Sequence, residues 1–369
     1  MSRIIYTIDS QKELWSLLGL FESNKFVSDK LRENFKSMDL GIIDQRTENI
    51  VYSIRQAREF FESSEQVSLL TSPLLLSYGM LNLAKALVYY LSSESTDFTN
   101  HFKKHGITVP YDDNKNLLAD GSIKFFGIGT YSQLSNIYGE EQHNNLEISV
   151  KEILSQIPDL GDMFVLTYNE KPRVVLLKKI DYGYSMGDLA SDHDKIWFEI
   201  KSMADLYKDS GFIFESTGSY ITIFQTAAAT KPIEEYGIIL KSISSIDFFR
   251  TIPVINGQII NLKEPSLYYL LIFCYGMLAR YQATKWGKYV DPNFSKEAEL
   301  ISKSIIISRN RFLHLVVNLF YNEDIQFRYS EEQIAKSKRE MADYVYDDVM
   351  ERLNRELRQS YRAGRGILP

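Results

Sequence analysis

The amino-acid sequence predicts an α+β protein in which helical parts at both ends form one bundle and a β-rich module is inserted between them. Three observations carry this expectation. Apolar residues recur at helical spacing through the first hundred residues and again from Pro265 onward. Roughly 140 residues between these parts hold short runs rich in Val, Ile, Phe and Tyr, separated by turn residues. Apolar helices at both ends must bury a face, and they are the best partners for each other. The expected organisation is residues 1–115 and 263–369 as the two parts of the bundle, with 116–262 as the module.

The first helix is expected after Ser10-Gln11-Lys12-Glu13, which has the form of a capping box ahead of Leu14, Trp15, Leu17 and Leu18. A polar helix from Asn49 to Ser63 sets Arg55, Arg58 and Glu59 opposite Ile54, Ala57 and Phe61. Ser72-Pro73 opens a long, largely buried helix running to Leu91, and Gly79 and Ala84 on it allow another helix to come close. Strands are expected at Phe125–Gly129, Asp162–Tyr168, Arg173–Leu177, Gly211–Phe214, Tyr220–Phe224 and Tyr236–Leu240. A helix over 147–157 interrupts them, Asn169-Glu170-Lys171-Pro172 supplies a turn, and Asn256-Gly257 marks a hairpin. Leu267–Arg280 is an apolar helix. Ser295–Tyr321 is one long helix or two, and Ser330–Arg362 is a charged amphipathic one.

Composition narrows the classes. Hydrophobic content of 44% with 24% charged residues is that of a soluble globular chain. A net charge of −6 excludes a surface that is basic throughout, so a nucleic-acid site would have to be a local patch. The single cysteine, Cys274, excludes an internal disulfide and a Cys-rich metal knuckle, and its apolar setting predicts a buried structural thiol. Met1-Ser2-Arg3-Ile4-Ile5-Tyr6 lacks the pattern of a secretory signal. The apolar runs near 69–91 and 267–279 are interrupted before the roughly 18 residues that suggest a membrane span. A cytoplasmic location is expected, with no membrane association and no cofactor.

One stretch carries the elements of a chemistry. Ser308-Arg309-Asn310-Arg311-Phe312-Leu313-His314 sets arginines and a histidine within a few residues, ahead of an apolar helical run. A His exchanges a proton near neutral pH, and an Arg neutralises a phosphate as its charge rises; together they suffice for metal-free RNA cleavage. Asn310 and His314 share a helical face, and Arg311 lies three before His314. Arg309 is about 140 degrees round but has a long side chain. In that reading His314 takes the 2′-hydroxyl proton, an Arg holds the phosphate oxygens, Asn310 orients, and a homodimer supplies the second His. Arg311 and Arg280 would contact the RNA. The alternative is a structural Arg and His that hold helices together.

Other motifs point away from catalysis. His101 and His105 are four apart but lack a third metal ligand, and Gly106 suggests a loop. Phe126-Gly127-Ile128-Gly129-Thr130 fits neither a dinucleotide fingerprint nor a P-loop. Gly183-Tyr184-Ser185-Met186-Gly187 matches the form of a nucleophile elbow, but the surrounding strands read as an antiparallel meander. Arg280-Tyr281 with Trp286 could face a base, although helix-end packing explains them more simply.

Three stretches resemble the YaaC-like family of bacterial proteins: Ser72–Leu87, His105-Gly106-Ile107, and Met277–Tyr281 followed by Trp286. That resemblance implies a bacterial cytosolic protein and no particular activity. Arg309-Asn310 with His314 is similar to the Arg-x4–6-His motif of the HEPN superfamily, helical bundles that often dimerise and include many toxin and phage-defence ribonucleases. It implies Arg309 as phosphate stabiliser, His314 as general base or acid and Asn310 as polar companion; the long β-rich insert departs from a small HEPN domain. Two functions are therefore expected as alternatives. One is a metal-independent endoribonuclease with RNA as substrate. The other is a YaaC-like binding or scaffold protein whose β-rich module recognises a protein partner.

Overall fold

The structure is a computed structural model that describes residues 2–328 apart from 8, 95–97, 111–115, 181–182, 187–192, 203–211, 218–219, 226–238 and 243–245. It divides into two compact units, residues 17–320 and residues 1–16 with 321–369. The chain opens with strand β1 (Ser2–Tyr6) and helix α1 (Ser10–Gly19). Ser10 is not the cap: Asp9 Oδ1 accepts the Lys12 N–H at 2.9 Å, so the carboxylate just before the expected box satisfies the free backbone donor.

Helix α2 (Asn24–Asn34) starts at Ser23, and α3 (Leu40–Gln66) starts at Asp39, whose carboxylate accepts the Gly41 N–H at 2.8 Å. The helix expected over 49–63 thus extends at both ends. Its buried stripe of Ile43, Ile50, Ile54, Ala57 and Phe61 packs on α4 (Ser72–Leu91). Pro73 sits in the first turn of α4, where its missing N–H costs nothing. Gly79 meets Phe61 as closely as the sequence suggests, since a Cβ there would lie 2.6 Å from the Phe61 ring. Arg46 of α3 closes the other end of α4. Its guanidinium donates to the carbonyls of Tyr89 at 3.3 Å and Ser92 at 2.6 Å and also to that of Glu94, satisfying acceptors a helix terminus leaves open. Among the described residues α4 is the one helix long and apolar enough to cross a membrane, and 61% of that window is buried within the fold.

After the single turn α5 (Thr99–Phe102) come β2 (Ile107–Thr108), α6 (Leu117–Asp120), β3 (Ser122–Phe125), α7 (Thr130–Ile137) and β4 (Glu147–Ser149). The three strands form an antiparallel sheet in the order β2-β3-β4. The helix expected over 147–157 begins only at α8 (Val150–Ser155), with Ser149 as its cap. Two expectations are overturned: of Phe125–Gly129 only Phe125 is in a strand, the end of β3, and Asp162–Tyr168 is not a strand but lies in helix α9 (Gly161–Tyr168). Asn169 ends it in the left-handed conformation, φ +53°, so the turn signal that follows is a helix cap rather than a hairpin.

The module's main sheet follows. Strands β5 (Val174–Ile180) and β6 (Gly183–Met186) precede helix α10 (His193–Ser202). Then come β7 (Phe212–Thr217), β8 (Tyr220–Gln225), β9 (Ile239–Lys241) and β10 (Asp247–Arg250). Their order is β7-β8-β6-β5-β10-β9, every pair antiparallel. Met186, Ile221, Ile223, Ile239 and Phe249 form its core with Ile196 and Ile200 of α10. Ser185 lies inside β6, paired with Lys178 and Thr222, so it occupies a flat strand and not the sharp turn of a nucleophile elbow. The hairpin at Asn256-Gly257 joins β11 (Val254–Ile255) to β12 (Gln258–Ile259). Both turn residues have positive φ, +52° and +77°, as a two-residue hairpin loop requires.

Three helices complete the larger unit: α11 (Glu264–Tyr281), α12 (Ala283–Val290) and α13 (Ala298–Tyr321), the last continuous rather than two. Helix α11 is buried almost all round and packs on α4. It comes close because position 276 is glycine: a Cβ there would lie 2.6 Å from Ser77 Oγ. Cys274 is wholly buried, and burial holds its thiol far above the ordinary range. In the smaller unit β13 (Asp324–Arg328) pairs in parallel with β1, Ser2 against Asp324 through Tyr6 against Arg328. The helix expected over Ser330–Arg362 lies outside the described residues.

Buried Glu140 ties the end of α7 to the start of α11. It accepts the Lys263 N–H at 2.5 Å and the Tyr131 hydroxyl at 3.1 Å. Burial raises its pKa from 4.5 to about 7, against the hydrogen bonds from Lys263 and Tyr131. The folded protein therefore keeps this proton where the unfolded chain has released it, and stability falls as pH rises between those two values. We expect about 3 kcal/mol of this decline to vanish in Glu140→Gln. Urea denaturation of both proteins at pH 5 and pH 8 checks it; parallel pH profiles would refute the assignment.

Candidate functional site

Helix α13 carries Arg309, Asn310, Arg311 and His314, and its periodicity sends them in different directions. Arg309 turns toward the corner between α3 and α4. Its Nη2 donates to the Ser64 carbonyl and to Ser72 Oγ, both at 3.2 Å, and its Nη1 lies 3.5 Å from Glu65. Burial lowers the Arg309 pKa and Glu65 pulls it back up. Ser72 Oγ itself donates to the Ser64 carbonyl at 2.7 Å, so Arg309 locks a turn that already closes on itself.

Arg311 turns toward α11. Its Nε and Nη2 reach the two oxygens of Glu264 at 2.6 and 3.1 Å, a bidentate pair with side chains only 10% and 12% exposed. Burial lowers its pKa, but the charge and hydrogen bonds of Glu264 outweigh burial and hold it above the ordinary value. Tyr268 donates to the same carboxylate at 3.2 Å. His314 joins this side of the helix, with Nδ1 3.3 Å from Arg311 Nη1. Asn310 is half-buried on the same helix. The structure thus brings His314 to Arg311 and places Arg309 against Ser64, Glu65 and Ser72. Arg311 is buried, so of the two expected RNA contacts only Arg280 is exposed.

Arg280 belongs to a different place. Its Nη1 donates to the Tyr78 hydroxyl at 2.9 Å, and its guanidinium lies 4.9 Å from the centre of the Tyr281 ring. It borders a small cleft of about 30 Å³ between α4 and α11, walled by Leu74, Tyr269, Phe273 and Met277 and lined also by Ser77 and His105. The His105 ring centre is 5.1 Å from that of Phe273. Desolvation, then the charges of Lys85 and Arg280, lower its pKa. Lys85, half-buried on α4, is likewise lowered by burial. Trp286, expected to pack, does so: its indole N–H donates to the Leu69 carbonyl at 3.0 Å and its ring lies 5.4 Å from Tyr275.

A turn of backbone fixes His105. Its carbonyl accepts the Tyr131 N–H at 2.8 Å, Lys104 accepts that of Thr130 at 2.9 Å, and Gly106 accepts that of Phe126 at 2.8 Å. The 104–106 loop therefore caps the first turn of α7. The sequence singled out His105 as a weak metal ligand; among the described residues no group of three metal-binding side chains exists. Lys85 went unnoticed because nothing in a helical apolar run marks a cation that will find no partner.

A family model described as YaaC-like Protein matches residues 19–320. Searches of curated proteins and of solved structures give no match.

Proposed function

The chain belongs to the YaaC-like family, and we propose that it acts as a binding or scaffold protein in which the Arg309–His314 segment is structural. The observation that carries this reading is the divergence of the motif. Arg309 is fastened to Ser64, Glu65 and Ser72, while His314 meets Arg311, whose guanidinium is held by Glu264. A phosphate-stabilising Arg must present free N–H groups to the oxygens that gain charge. Here the guanidiniums of α13 join helices instead. In this reading the six-stranded module meets a protein partner.

The Arg311–His314 contact favours a second reading, the metal-independent HEPN-like endoribonuclease with a dimer supplying two histidines. One experiment separates the two. Purified wild type and His314→Ala are incubated with total RNA in EDTA. We expect equal, background-level cleavage by both. Cleavage by wild type that leaves 2′,3′-cyclic phosphate ends and disappears in His314→Ala would replace the binding reading with the ribonuclease.

A further inference from the structure

Strand β1 has one edge paired and one edge bare. Its register with β13 sets Ser2 against Asp324 through Tyr6 against Arg328, and the Thr7 N–H continues the ladder by donating to the Arg328 carbonyl at 3.1 Å. Backbone groups alternate sides along a strand, so Arg3 and Ile5, in step with Thr7, turn toward β13. Ser2, Ile4 and Tyr6 direct their N–H and carbonyl groups the other way, where no strand among the described residues pairs with them. Such an edge is a template for another strand, and folds usually guard it with a charge, a proline or a bulge. This edge has no such guard. Its one charged residue, Arg3, is engaged within its own chain, 3.6 Å from Glu323 and with its guanidinium 5.9 Å from the centre of the Tyr321 ring. Ile4 and Tyr6, on the opposite face of the strand, are 43% and 60% exposed.

We propose that this edge pairs with β1 of a second copy of the chain, antiparallel about a two-fold axis at Ile4. The outward-facing residues are symmetric about that position. Ile4 then exchanges both backbone hydrogen bonds with the partner's Ile4, and Ser2 and Tyr6 do the same with the partner's Tyr6 and Ser2. The pairing joins the two β1–β13 ribbons into one continuous sheet and lays each Ile4 side chain against the other. Arg3 falls opposite the partner's Ile5, so the strand's like charges are not opposed. Charge also selects the occupant. The bare edge offers no free ion to an acidic or basic peptide, whereas an identical edge matches it residue for residue. Pairing of two five-residue strands covers less than the roughly 1,200 Å² of a standard interface, so the dissociation constant should be on the order of 10–100 µM. The interface uses neither Arg309 nor His314, and it stands apart from the dimer that the ribonuclease reading requires.

Sedimentation equilibrium of the full-length protein from roughly 5 to 500 µM tests it. Ile4→Lys keeps the backbone donor and sets two ammonium groups directly opposite each other, so it should weaken association at least roughly tenfold. Cysteine variants read the register. Hydrogen-bonded partners have Cα atoms about 5.5 Å apart, within reach of a disulfide, and the buried Cys274 does not compete. Mild oxidation should therefore link two chains through Ile4→Cys. Ser2→Cys should not link, because the two copies of that position lie roughly 14 Å apart along the strands. Should Ile4→Lys lose its helical circular dichroism, the cysteine variants carry the test. The proposal is overturned by a monomer throughout the concentration range, which is also the result expected if a different protein occupies the edge. It is equally overturned by a folded Ile4→Lys that associates like wild type, by Ile4→Cys that fails to link, or by Ser2→Cys that links as readily.

Discussion

Arg311→Met is expected to cost about 3–5 kcal/mol of folding stability, whereas the double variant Arg311→Met/Glu264→Gln should recover most of that loss. The pair is bidentate and nearly inaccessible, with 2.6 and 3.1 Å contacts. Removing the cation strands Glu264 among Tyr268 and the first turn of α11, away from water. The positive end of that helix and one hydroxyl offset only part of the penalty, since a helix terminus contributes about 0.3–1 kcal/mol. Replacing both charges removes the stranded carboxylate, so the cycle should show coupling of about 2 kcal/mol or more. Urea denaturation of the four proteins measures it. A single-variant loss below about 1 kcal/mol would mean that Arg311 is not the clasp between α11 and α13, and would reopen a ligand-binding role for its guanidinium.

Much of the bundle was legible because its signals are local. Ser72-Pro73, the apolar α4 and α11 and the Asn256-Gly257 hairpin each follow from neighbouring residues. Asp162–Tyr168 failed for the reason short apolar runs fail: a run dominated by Met, Phe, Val, Leu and Tyr suits a buried strand or a buried helix equally. The long-range links were invisible. Arg309 meets Ser72 across 237 positions of sequence, and Arg46 finds the end of α4 across 43 to 48. The motif on α13 was therefore readable as a helix, but its partners were not, and the partners decide between a clasp and an active site. The cleft posed the same difficulty. Its pieces were noticed one by one as a helix, a His-Gly step and an Arg-Tyr pair. Only the close packing of Gly276 on Ser77 brings them together.

Gly129→Ala should be among the most damaging single substitutions in the molecule, costing about 3 kcal/mol or more and displacing His105 from the cleft. Two penalties coincide there. The backbone sits at φ +152°, where a side chain is strained, and a Cβ would fall 2.1 Å from the Gly106 nitrogen and 2.6 Å from the His105 carbonyl carbon. These are main-chain atoms, so relief requires moving the 104–106 loop, and that breaks its hydrogen bonds to the start of α7. Gly139→Ala separates the two penalties. Its φ is also positive, +66°, but nothing lies within 4 Å of the added carbon, so it should cost only about 1 kcal/mol. Thermal or urea denaturation of both variants compares them. The steric account demands that Gly129→Ala be the less stable. Equal stability of the two variants would show that the loop yields freely, and that His105 is not held in place by the close approach of Gly106 and Gly129.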